Sequence, residues 1–288
     1  MSQPFVEMRI GVVGAGLMGA EIALVFALAG MDVRLNDRDP GALDAALARL
    51  GTILDRGVAR GLYTEAQRST ALDRLRPAPD LACFADRDLV TEAVYESLDV
   101  KRNVLAALDA ACPEACVIAS NTSTLPISTL GAALSPARRP RFVGTHYFSP
   151  VFRMRLVEVV PGFDTDPETV AWTVAILEAA GKQPIAVKDV AGFAVNRMLH
   201  AMLIEAVRLV EEGVASPDHL DTACRLGLGH PIGPFALMDN VTSGLCLQVQ
   251  EILQDAYGER FRPPALLKQR VAAGYSGGRG KPGWMANG

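Results

Sequence analysis

Arg9-Ile-Gly-Val-Val13 runs directly into Gly14-Ala-Gly-Leu-Met-Gly19, and the apolar stretch from Ala20 to Ala29 follows, closed by Gly30. The first segment is short, β-branched and bounded by glycine, which is the pattern of a buried strand. The last segment reads as a helix that stops at Gly30. Between them the spacing Gly-x-Gly-x-x-Gly stands in the strand–turn–helix setting that gives it meaning. Gly14 permits a tight turn, Gly16 lets a pyrophosphate approach the backbone, and Gly19 allows the helix to pack closely on the strand. The orphan N–H groups of the helix start, at Leu17 and Met18, then face the phosphates.

A second strand, Asp32-Val-Arg-Leu-Asn36, leads to Asp37, 23 positions after Gly14. A carboxylate there can accept both ribose hydroxyls of an adenosine, and it repels a 2′-phosphate. The pattern therefore predicts a dinucleotide site that prefers NAD over NADP, with Arg38 as the neighbour able to serve a 2′-phosphate. The bland alternative is a glycine-rich turn with a solvated aspartate. The run from Ile10 to Met31 imitates a membrane span, with Glu21 as its single strong breaker. Strand, turn and helix describe it better. Glu7 ahead of it and the lack of a cleavage-type flank argue against a signal peptide. No membrane or targeting segment is expected.

The chain has 288 residues, half of them hydrophobic, and a formal net charge of −4. That length predicts about two domains. The composition argues against disorder, and the charge against a bulk nucleic-acid partner. Five cysteines, at 83, 112, 116, 224 and 246, are sparse and odd in number. They fit reduced thiols in a cytoplasm, and with four scattered histidines they form no metal-ligand spacing.

Residues 40–75 are helical in pattern, with Leu43, Leu47, Leu50, Leu54 and Val58 on one stripe and a break at Gly61–Glu65. Strands are predicted at 88–91, 116–119, 142–145 and 156–160, with a helix at 101–110. This alternation indicates a mostly parallel α/β sheet to about residue 188. Beyond it, 194–212 and 235–257 read as helices and no strand is evident. The predicted organisation is a dinucleotide-binding α/β domain over 1–188 and an all-helical domain over 189–288.

Three polar groups need explaining. Ser120-Asn-Thr-Ser123 follows a buried strand, at the strand edge where open parallel sheets bind ligands, although small hydroxyl residues are also ordinary helix caps. His146 lies near the end of one strand, and Glu158 sits inside the apolar Leu-Val-Glu-Val-Val run. A buried carboxylate needs a partner. If the intervening turn brings the two together, the carboxylate fixes the imidazole tautomer and leaves a general base. The competing pattern pairs Glu158 with Arg153 or Arg155. Asn196, in the first turn of the long helix, is either a cap-region residue or a ligand contact.

At this point the sequence resembles the short-chain L-3-hydroxyacyl-CoA dehydrogenases, which include 3-hydroxybutyryl-CoA dehydrogenases, over nearly its whole length. The likeness rests on Gly14–Gly19, Thr91-Glu-Ala-Val-Tyr-Glu-Ser97, Ala119-Ser-Asn-Thr-Ser123, His146-Tyr-Phe-Ser-Pro150, Leu156-Val-Glu-Val159, Ala191-Gly-Phe-Ala-Val-Asn-Arg197 and Gly233-Pro-Phe235. It implies a Rossmann-type domain followed by a helical domain, a homodimer, and NAD-dependent oxidation of a 3-hydroxyacyl-CoA to the 3-ketoacyl-CoA. By position it implies His146 as base, Glu158 as its orienting carboxylate, and Ser123 and Asn196 near the substrate. It further implies Glu96, Lys101, Ser123, Ser149 and Arg279 as cofactor contacts, with Lys281 the alternative to Arg279. Arg60 stands where the family has a lysine that meets CoA, and Arg56 is the next basic residue on that helix. Two other readings compete: a dehydrogenase of a free hydroxy acid of the gulonate or carnitine kind, and a non-catalytic, crystallin-like cofactor-binding protein.

Overall fold

The computed structural model describes residues 7–278 and 280–285. The chain forms two compact units, Met1–Val190 and Ala191–Gly288. The first opens with β1 (Arg9–Val13), α1 (Leu17–Leu28), β2 (Asp32–Asn36), α2 (Pro40–Ala59), α3 (Glu65–Arg74) and β3 (Leu75–Ala78). It continues with β4 (Leu89–Glu92), α4 (Leu98–Ala111), β5 (Val117–Ser120), α5 (Ile127–Gly131), β6 (Phe142–Tyr147), β7 (Leu156–Pro161), α6 (Pro167–Ala179) and β8 (Gln183–Ala186). The strands form one sheet in the order β3-β2-β1-β4-β5-β6-β7-β8.

Local chemistry explains these elements. α1 is apolar on every side, so it is buried from Gly19 to Ala27 against the sheet. α2 places Leu43, Ala46, Leu50 and Leu54 on one buried stripe. It starts with Pro40 in its first turn and with the Asp39 carboxylate accepting the Gly41 N–H at 2.9 Å. α3 begins with a reciprocal cap between Thr64 and Gln67. The core of the unit is Ile10, Val12, Val33 and Leu35 of the strands against Ile22, Phe26 and Leu50 of the helices.

The sheet is mostly parallel, as expected, and the structure adds two details. β7 runs antiparallel to β6, whereas the other pairs are parallel. Just where the helical pattern ends, Leu75–Ala78 forms an edge strand, and a further strand, β8, closes the other edge.

The second unit contains α7 (Val195–Glu211), α8 (Pro217–Gly227), α9 (Pro234–Val241), α10 (Ser243–Tyr257) and α11 (Ala265–Ala272). The pattern at 235–257 is two helices, divided at Thr242 with φ +80°. Leu203, Val207, Phe235, Met238, Cys246 and Trp284 make its main core. Two carboxylates organise the backbone. Asp221 accepts the Phe235 and Ala236 N–H groups at the start of α9, and Asp239 accepts those of Trp284 and Met285. The cysteines are free thiols. No helix among the described residues is long and apolar enough to cross a membrane.

Candidate active site

The three glycines of the first turn differ in what holds them to glycine. Gly14 has φ +101°, and a Cβ there would lie 2.6 Å from the Ala93 carbonyl oxygen. At Gly19 a Cβ would lie 1.8 Å from the Gly14 carbonyl oxygen. Both are constraints of the fold itself. Gly16 is different: its φ is −62°, and a Cβ would meet nothing within 4 Å. The space beside it is open to the cavity. Gly14, Gly16, Leu17, Met18, Asp37 and Arg38 line a cavity of about 930 Å³, large enough for a sizeable cofactor. Gly19 sits behind this wall, in the packing of α1.

Asp37 directly follows β2, at the rim of the cavity. Its carboxylate accepts the Ala15 N–H at 2.7 Å and the Asp39 N–H at 3.0 Å. The glycine turn and the acidic residue are thus fastened to each other. An open glycine at a helix start, a cavity of this size and a carboxylate at its rim together fit NAD. If Asp37 reads the ribose, Asp37→Ala lowers kcat/KM for NAD by about 10- to 100-fold, the worth of hydrogen bonds to a charged group. NADP gains relative to NAD, because the carboxylate that repels a 2′-phosphate is gone while Arg38 remains. Equal kcat/KM for the two cofactors in the unaltered protein would contradict this role.

Next to the turn is a buried polar network. Glu92 is wholly buried at the end of β4. It accepts the Lys101 ammonium at 2.8 Å, the Val94 N–H at 2.7 Å and the Ser120 hydroxyl at 2.6 Å. Lys101 also reaches the Glu96 carboxylate at 3.2 Å. The other Glu96 oxygen, Oε1, accepts the Thr122 hydroxyl and the Ser123 and Thr124 N–H groups at 2.6, 2.8 and 3.0 Å. Burial works to raise the Glu96 pKa, but Lys101 and these donors outweigh it and hold the carboxyl below its ordinary value. Ser123 is therefore fixed by its backbone, and its hydroxyl takes no partner among the described residues. Lys101 is fully enclosed and spent on its carboxylates. It holds the Glu96 carboxylate in place.

His146 and Glu158 face each other as paired residues of β6 and β7. His146 Nδ1 and Glu158 Oε2 are 2.8 Å apart, and both side chains are buried. The alternative partners, Arg153 and Arg155, form no ion pair with Glu158 among the described residues. A carboxylate at this distance favours the tautomer that carries its proton on Nδ1. Phe148 packs edge-on against the His146 ring, with centroids 4.6 Å apart. One further residue serves this strand: Asn121, at the end of β5, accepts the Tyr147 N–H at 3.0 Å. Asn121 was visible only as part of a ligand-edge tetrapeptide.

Ser149 is exposed in the loop that leaves β6. Arg56 and Arg60 are exposed one turn apart at the end of α2. Asn196 lies in the first turn of α7, in the second unit. Arg279 lies outside the described residues. No group of three or more metal-ligating side chains occurs among the described residues.

Residues 9–190 match the model of the 3-hydroxyacyl-CoA dehydrogenase NAD binding domain, and residues 192–287 that of the C-terminal domain of the same family. The chain belongs to the 3-hydroxyacyl-CoA dehydrogenase family. This dehydrogenase is 39% identical over 276 residues to a probable 3-hydroxybutyryl-CoA dehydrogenase of Bacillus subtilis, covering 94% of this chain and 96% of the relative. A probable 3-hydroxybutyryl-CoA dehydrogenase of Deinococcus radiodurans is 38% identical over 278 residues, covering 96% and 99%. Among solved structures, the (S)-3-hydroxybutyryl-CoA dehydrogenase of Ralstonia eutropha superposes with a TM-score of 0.93 at 37% identity, covering 98% of this chain and all of that one. The family match makes the chain an NAD-dependent dehydrogenase.

Proposed function

We propose that this dehydrogenase catalyses the reversible oxidation of (S)-3-hydroxyacyl-CoA to 3-ketoacyl-CoA, with His146 as the general base. The observation that carries this reading is the 2.8 Å contact between His146 and Glu158 on paired strand residues. NAD, when bound, supplies the hydride acceptor at its nicotinamide ring. With Nδ1–H directed at Glu158, His146 Nε2 takes the proton of the substrate 3-hydroxyl. As the ring becomes an imidazolium, the buried Glu158 carboxylate offsets its charge. In the reductive direction the same nitrogen returns the proton to the ketone oxygen. We assign the Ser123 hydroxyl and Asn196 to the substrate oxygens. Glu96, Ser149 and Arg279 fall to the cofactor, with Lys101 acting from behind Glu96.

Reduction of acetoacetyl-CoA by NADH, compared with that of free acetoacetate, tests the reading. Turnover of the thioester alone supports it. Comparable turnover of the free acid replaces it with the hydroxy-acid reading, and turnover of neither leaves a cofactor-binding protein without this chemistry.

We assign Arg60, and Arg56 beside it, to a phosphate of CoA. A guanidinium binds phosphate through two parallel hydrogen bonds, so arginine can serve where relatives of the resemblance carry lysine. Both side chains are exposed, so the contact is a weak one. Arg60→Ala raises the KM for acetoacetyl-CoA by up to about fivefold, the scale of an exposed ionic contact, with kcat unchanged. Added salt narrows the difference. A truncated thioester without the nucleotide shows no difference; a loss that persists with it would place Arg60 elsewhere in function.

We further propose a cytoplasmic homodimer that associates through the helical unit. Its exposed apolar residues Met198, Val214, Leu226 and Leu228 support that assembly, and light scattering at twice the chain mass checks it.

A further inference from the structure

α1 is apolar along its length apart from Glu21, the residue that interrupts the longest apolar run of the sequence. The Glu21 side chain is only 3% exposed. Its Oε2 accepts the N–H of Val151, in the loop between β6 and β7, at 2.6 Å. Lys182, just ahead of β8 and also buried, approaches the same residue from its other end. Its ammonium donates to the Val151 carbonyl, and to the Met154 carbonyl at 2.9 Å. One wholly buried residue of the loop is thus held at its N–H by a carboxylate and at its C=O by an ammonium.

Neutral groups could tie down a loop at less cost, because burying a charge is unfavourable even where it finds hydrogen bonds. Both side chains register that cost. Burial pushes the Glu21 carboxyl up despite Val151, Arg49 and Lys182, and pulls the Lys182 ammonium down to about 8. Two such groups on one residue indicate a demand on where the loop lies. The loop connects the strands of His146 and Glu158. It carries Phe148, which braces the His146 ring, and the exposed Ser149. Glu21 in turn belongs to the helix whose first residues, Leu17 and Met18, line the cofactor cavity.

We propose that Glu21 and Lys182 are positioning residues, which clamp Val151 so that the 148–155 loop, and with it Phe148 and the His146 ring, keeps a fixed place relative to the cofactor-binding helix α1. The inference rests on the reading of His146 as the base. Its role is alignment, and a misplacement of an ångström at a reacting centre is costly in rate.

Glu21→Met and Lys182→Met each remove one jaw at similar volume, while Glu21→Gln keeps an acceptor for the Val151 N–H. In the cofactor-free protein, amide hydrogen exchange over 148–155 accelerates at least about tenfold in both Met variants, with β1 still protected. In turnover with acetoacetyl-CoA, kcat falls by about tenfold or more, the KM of the thioester stays near the wild-type value, and Glu21→Gln restores most of kcat. Acceleration that extends through β1 alongside the loss of kcat means general destabilisation and overturns the proposal. So does a loosened loop with wild-type kcat, or a Gln variant as impaired as the Met variant. Failure of the unaltered protein to reduce acetoacetyl-CoA overturns the reading of His146 instead, and the exchange measurement still decides whether the two charges hold the loop.

Discussion

His146→Gln lowers kcat for 3-hydroxyacyl-CoA oxidation by at least about 100-fold, the usual scale of a positioned general base, and leaves the dissociation constant for NADH near its wild-type value. Glutamine is close to histidine in size and can still meet Glu158, so the β6–β7 pairing survives. What it cannot do is accept a proton at the position of Nε2. Glu158→Gln has a related effect for a different reason. It preserves a partner for the Nδ1 proton but removes the charge that offsets the imidazolium, in a place with no water to replace it. Because the two side chains act through one hydrogen bond, the double variant is little worse than His146→Gln alone. Steady-state rates with single and double variants, beside fluorescence titration of NADH, check this. Wild-type kcat in either single variant, or a double variant that multiplies the two losses, would end the assignment.

The second large effect separates two glycines of one motif. In Gly19→Ala the added methyl meets the Gly14 carbonyl oxygen at 1.8 Å, a backbone atom that cannot swing aside. α1 must move off the turn. Overpacking of this kind costs about 1–3 kcal/mol, and this site belongs at the upper end. The midpoint of thermal unfolding then drops by roughly 6–12 °C for a chain of this size. Gly16→Ala fits the protein without a clash, so the cofactor-free protein keeps its stability to within about 1 kcal/mol. Its defect appears only with NADH, which no longer raises the unfolding temperature, since stabilisation by a ligand vanishes with its affinity. Thermal unfolding of both variants with and without NADH measures the contrast. If Gly16→Ala is stabilised by NADH as the unaltered protein is, the cofactor does not use the space beside residue 16.

The first strand, turn, helix and second strand were legible because each has a strong local signal: β-branched residues, three spaced glycines, and an aspartate at the second strand end. The missed strands lacked such signals. β3 and β8 each have four residues, contain Pro77 or Pro184, and lie at the two edges of the sheet. Pairing on one side alone tolerates proline and needs little apolar alternation. The direction of β7 was likewise hidden, because a buried parallel strand and a buried antiparallel one read alike. His146 and Glu158 stood out as polar residues in apolar strands, yet their pairing depends on register, which no local pattern specifies. The enclosure of Lys101 follows from Glu92, a partner nine positions away whose side chain the sequence does not orient. Glu21 was visible only as an interruption of a hydrophobic run. Its use depends on Val151, 130 positions further along the chain.

The antiparallel turn between β6 and β7 also bears on how the protein is made. Parallel neighbours such as β1 and β4 pair only after long crossovers have been ordered, which is slow. His146 and Glu158 are twelve positions apart on strands joined by one loop, and hairpins of this kind close in about 1–10 μs. His146 and Glu158 therefore meet through a local folding event. The dinucleotide cleft waits for contacts across half the chain. On a growing polypeptide, the His146–Glu158 pair is available to assemble as soon as residue 161 has emerged, before the helical unit has left the ribosome.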